Sequence, residues 1–65
     1  LAYYYMAYCY LRIGDNNAAL NTVMKHLNAN PNSKEGYRLA SEIYRAMGDN
    51  NNAVDMLNRA SITSS

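Results

Sequence analysis

Sixty-five residues, about half of them hydrophobic, allow one domain at most. A chain this short is marginally stable by itself, and its one cysteine, Cys9, excludes an internal disulfide staple. Six basic residues against five acidic leave a net charge of +1, which supplies no field to draw in nucleic acid or an anionic membrane, and no apolar run approaches the roughly 20 residues of a membrane-crossing helix.

The apolar spacing predicts a first helix over residues 1–13. Tyr3, Met6, Ala7, Tyr10 and Ile13 recur every three or four residues and gather on one face, expected to be buried. Gly14 ends this helix, because only glycine enters the left-handed cap conformation without steric cost. Asp15 or Asn16 then accepts hydrogen bonds from the open N–H groups of a second helix. That helix is predicted from Asn17 to Ala29, with Ala19, Leu20, Val23 and Leu27 inward and His26 half exposed. Asn30-Pro31-Asn32-Ser33 is a break, since proline disfavours helix before itself and lacks a donor. Asn32 with Glu35 three residues on has the form of a capping box. The third helix is predicted over 34–47, burying Tyr37, Ala40, Ser41, Tyr44 and Met47, and Gly48 ends it. The fourth is predicted over 51–62, with Ala53, Val54, Leu57 and Ala60 inward, and Thr63-Ser64-Ser65 is expected to fray.

Gly14-Asp15-Asn16-Asn17 returns as Gly48-Asp49-Asn50-Asn51, an offset of 34 residues. Under that offset Tyr3 also meets Tyr37, Tyr10 meets Tyr44 and Ala19 meets Ala53. A fixed period of this size signals stacked supersecondary units. Connections as short as Gly-Asp-Asn fold each helix pair back antiparallel. Small residues at facing positions, Ala7 by Ala19 and Ser41 by Ala53, let the paired helices approach closely.

These residues resemble the tetratricopeptide repeat family. The first copy carries its pattern at Tyr3, Met6, Ala7, Tyr10, Ala19, Val23 and Pro31, and the second at Tyr37, Ala40, Ser41, Tyr44, Ala53, Leu57 and Ala60. The resemblance implies an all-α fold of two antiparallel helix-turn-helix hairpins, repeat one over 1–33 and repeat two over 34–65, stacked as a right-handed α-solenoid. Three departures stand out. Tyr3 and Tyr37 replace the common tryptophan, His26 stands where a small residue is usual, and no second proline closes the second copy. With no initiator Met, the chain reads as a fragment of a longer protein.

The resemblance also implies a function: binding a peptide or a partner helix in the concave groove lined by the first helix of each repeat. The groove positions are Leu1, Tyr4, Tyr8, Leu11 and Arg12 in the first copy and Glu35, Arg38, Glu42 and Arg45 in the second, each set on one helix face. Half the groove is aromatic and half carries alternating charge, as suits an amphipathic ligand. Tyrosine and arginine are enriched among the residues that dominate binding energy. The lysine–asparagine set with which some family members clamp a carboxylate is missing, since Tyr4, Tyr8, Arg38 and Glu42 stand there. The alternative function is a structural self-assembly unit, in which apolar solenoid ends drive homo-oligomerisation. Those ends are Leu1, Tyr5 and Cys9 at the front and Met56 and Ile62 at the back.

No constellation points to catalysis, a metal or a cofactor. Cys9 and His26 are a nucleophile–base pair on paper, but Cys9 lies 5 residues before Gly14 and His26 lies 12 after it. At a helical rise of about 1.5 Å per residue, antiparallel helices leave them on the order of 10 Å apart along the axis. Cys9, aligned with Ile43, reads as a packing residue. One cysteine and one histidine fall short of a metal site, and Asp15 and Asp49 are cap residues one repeat apart. A lone cysteine fits a reducing, cytoplasmic compartment without excluding the periplasm.

Overall fold

The computed structural model describes residues 2–62, so the Leu1 assignments and the fraying of Thr63-Ser64-Ser65 lie outside the described residues. Four helices follow one another: α1 (Ala2–Arg12), α2 (Asn16–Ala29), α3 (Lys34–Ala46) and α4 (Asn50–Ile62). The repeated Gly-Asp turn is built identically in both copies. Gly14 and Gly48 have φ of 87° and 83°. Asp15 N–H donates to Tyr10 O at 2.9 Å and Gly14 N–H to Leu11 O at 3.1 Å, and the second copy repeats this with Asp49 to Tyr44 at 2.9 Å and Gly48 to Arg45 at 3.0 Å. This paired bonding satisfies the carbonyls left open where each helix stops. The next helix opens on the aspartate: Asp15 Oδ1 accepts from Ala18 N–H and Asp49 Oδ1 from Asn52 N–H, both at 3.3 Å. The aspartate is therefore the cap in each copy, and α2 and α4 start one residue earlier than predicted, at Asn16 and Asn50.

The joint between the repeats differs from expectation. Ser33, not Asn32, caps α3, and its Oγ accepts the Gly36 N–H at 3.0 Å. Tyr37 Oη donates to Pro31 O at 2.8 Å and so ties α3 back to the loop before it.

α1 packs on α2, α2 on α3 and α3 on α4; α1 also touches α3, whereas α2 and α4 do not meet. The first helices of the two repeats converge and the second helices diverge, so the array curves with α1 and α3 on its inner side. The core is Ala7, Ala19, Val23, Leu27, Leu39, Ala40 and Ile43, drawn from the first three helices. Each fully buried side chain of Val23 or Ile43 size contributes about 1.5–3 kcal/mol.

Several residues expected inside are not. Tyr3, Met6, Ile13 and Met47 are exposed, as are Val54 and Leu57. Ala53 and Ala60 alone of the expected α4 stripe are buried, and Met56, assigned to an open end, packs partly against the core. The physical reason is the small number of layers. α1 has no helix against its front and α4 none against its back among the described residues, so wide apolar faces stay open. Cys9 is exposed for the same reason, while Ile43, its counterpart 34 residues on, has no exposed surface.

Candidate functional site

On the inner side, Tyr4 and Tyr8 of α1 and Arg38 and Glu42 of α3 line one hollow of about 300 Å³, with the buried side chain of Leu39 beneath them. Helical spacing explains the grouping. Tyr4 and Tyr8 are one turn apart on α1, Arg38 and Glu42 one turn apart on α3, and the α1–α3 contact brings the two pairs face to face. The Arg12 guanidinium lies 5.8 Å from the centre of the Tyr8 ring and extends the wall. Of the nine groove positions, eight lie among the described residues; four of these line one hollow, and Arg12 reaches it through its contact with Tyr8.

The others do not. Leu11 is partly buried and packs against the core. Glu35 is exposed in the first turn of α3 and Arg45 in its last turn, at opposite ends of that helix. Leu39 was not among the predicted groove residues. It sits on the same turn as Arg38, but the helical pattern marks it only as one more apolar residue.

The charged heads are free of one another. Among the described residues the one ion pair is Arg59–Asp55 at 3.2 Å on α4, so Arg38, Glu42 and Arg45 form no ladder along α3. The hollow therefore presents aromatic faces, a cation and a carboxylate with no internal ion partner.

Behind the hollow lies the residue that sequence reasoning placed wrongly. His26 is not half exposed: 2% of its surface remains accessible. Its Nε2 is 2.8 Å from Ser33 Oγ, and its ring centre lies 5.8 Å from that of Tyr4. It fits because Gly36 has no side chain; a Cβ there would stand 2.7 Å from His26 Cδ2 and 2.8 Å from Leu27 Cδ2. An isolated glycine inside a helical stretch was the available signal for such a close approach. Burial lowers the His26 pKa below 6.5, and Glu35 opposes the shift. His26 is thus engaged with Ser33 while Cys9 is exposed on α1. Among the described residues no group of three or more His, Cys, Asp or Glu is gathered as a metal site would need, and no helix is long and apolar enough to cross a membrane.

At the front, Tyr5, Met6, Cys9, Tyr10 and Ile13 surround a second, almost wholly apolar hollow of about 320 Å³. The back of α4 exposes Val54, Leu57 and Ile62.

None of the curated proteins matches the chain. The tetratricopeptide repeat family pattern matches residues 1–33, which is repeat one with its closing turn. Repeats of this family generally serve protein–protein interaction and are typically non-catalytic scaffolds. With that match over half the chain, and with the same helix–Gly-Asp–helix unit built again in α3 and α4, the chain belongs to the tetratricopeptide repeat family.

Proposed function

We propose that this chain is a single binding domain of two repeats, 1–33 and 34–65, that receives a peptide or a partner helix across α1 and α3. The observation that carries this reading is the hollow shared by Tyr4, Tyr8, Arg38 and Glu42, with charges that no ion pair among the described residues consumes. An apolar ligand side chain enters above Leu39 between the two tyrosines. A ligand carboxylate or carbonyl meets Arg38, and a donor meets Glu42. Arg45, Glu35 and Arg12 lie further along the same inner side and contact a longer ligand at its ends.

The test uses a peptide selected for binding to this chain from a displayed random library. Tyr8→Ala and Arg38→Ala each remove an exposed groove side chain. Each is expected to weaken that peptide by more than about 1 kcal/mol, roughly fivefold or more in dissociation constant. Dissociation constants unchanged in both variants would overturn the groove assignment.

The apolar hollow at the front favours a second reading, end-to-end association of copies through the faces of α1 and α4. Sedimentation across a range of concentrations decides it, since a monomer throughout rules the association out.

A further inference from the structure

His26 joins three things that the repeat pattern does not require to be joined. It sits in the last turn of α2, bonds the cap of α3 through Ser33, and places its ring against Tyr4 of α1. Ser33 Oγ is at the same time the acceptor for the Gly36 N–H that opens α3. Tyr4 is also a wall of the inner hollow. One buried imidazole therefore touches the joint between the repeats on one side and the ligand face on the other.

A serine hydroxyl has one proton to give and two lone pairs. With His26 neutral, either tautomer satisfies the bond: the serine O–H donates to Nε2, or Nε2–H donates to Oγ. In one of these the hydroxyl bridges, accepting from Gly36 and donating to His26. With His26 protonated, Nε2–H must donate. The bridging arrangement is then excluded, and the ring carries a second N–H, on Nδ1, within a site that leaves 2% of the residue accessible. The cation also stands at the N-terminal end of α3, where the helix dipole is positive. Other groups bear on the ring from each side. From α1 comes Tyr4, whose ring stands against the imidazole. From α3, Glu35 favours protonation, as do the C-terminal carbonyls of α2 itself. From the loop, Asn30 is neutral, and its amide is occupied with His26 O at 3.1 Å.

We propose that the His26–Ser33 bond is a pH-sensitive latch: protonation of His26 loosens the joint between the repeats, displaces Tyr4, and weakens ligand binding in the inner hollow. The last step rests on the groove reading above; the first two do not. Because burial lowers the folded pKa, the unfolded chain takes up the proton first. The stabilisation is complete above pH 6.5 and is lost as pH falls from 6.5 through the lower folded value.

Proton NMR of the unaltered 65-residue chain, titrated between about pH 8 and about pH 5, tests the latch without any ligand, because histidine is the side chain that ordinarily titrates there. The His26 ring, the Gly36 amide and the Tyr4 ring are expected to shift together with one midpoint below 6.5. A His26 midpoint at or above 6.5, or Gly36 and Tyr4 signals that do not move with it, overturns the latch. His26→Gln, verified as folded by its melting transition, should abolish the pH-dependent movement of the Tyr4 ring signals. The library-selected peptide is then measured across the same range, where the expected rise in dissociation constant is about fivefold or more, the lower end of ordinary coupling between sites. If that peptide is lost on Tyr8→Ala yet binds equally at both pH extremes, the coupling fails while the groove stands. If the peptide ignores Tyr8 and Arg38, the groove fails while the NMR result still decides the latch.

Discussion

α1 and α3 are the same helix written twice, one period apart, and they live in different surroundings. α3 buries Gly36, Leu39, Ala40, Ser41 and Ile43; α1 buries Ala7 alone. The Ser41–Ala7 position is inside in both, because each faces the second helix of its own repeat. The Gly36, Leu39 and Ile43 positions are inside only in α3, because there α2 of the preceding repeat lies against them. Their counterparts Ala2, Tyr5 and Cys9 are exposed. In a stacked array, burial belongs to the interface and not to the helix. The same register position can be a core residue or a surface residue depending on which layer carries it.

Replacing Ile43 with Ala removes a side chain with no exposed surface and should cost about 2–5 kcal/mol, while Cys9→Ala at the matching position should stay within about 0.5 kcal/mol. Urea denaturation of the two variants measures the difference. Equal costs would mean that α1 and α3 share an environment after all. A smaller gap is expected at the next position. Gly36→Ala drives a Cβ into His26 and Leu27 and should cost about 1–3 kcal/mol, whereas Ala2→Ser should change stability by less than about 0.5 kcal/mol. If Gly36→Ala were neutral, the close approach of α3 to α2 would not be needed for the fold. At the ends of the two helices the comparison should vanish. Ile13 is 74% exposed and Met47 is 42% exposed, so Ile13→Ala and Met47→Ala should both fall within about 0.5 kcal/mol. A large loss at Met47 alone would extend the burial of α3 beyond what its exposure indicates.

Much of this architecture was legible in the chain. Gly14 and Gly48 stop helices because the cap conformation needs positive φ, and Asp15 and Asp49 start the next ones because a short carboxylate reaches an open N–H. These are local events, decided within a few residues. The grouping of Tyr4 and Tyr8 with Arg38 and Glu42 was also readable, since helical spacing and the period together fix which faces converge. Ile13, Met47, Val54 and Leu57 were misplaced because periodicity identifies an apolar face without saying whether anything covers it. Ser33 displaced Asn32 as the cap because Asn30 and Pro31 set where α3 begins, and one residue of slip changes which side chain reaches Gly36.

The sequence by itself determined the period, the turns, the four helices and the residues each presents on one face, because each follows from hydrogen bonding and side-chain spacing within a single repeat. Only the tertiary structure decided the burial of His26, the role of Gly36 in admitting it, and the exposure of Cys9 opposite the burial of Ile43. Each of those depends on the distance between α2 and α3, or on a helix layer that α1 lacks among the described residues. Such distances arise from packing between repeats, which no single-repeat pattern contains.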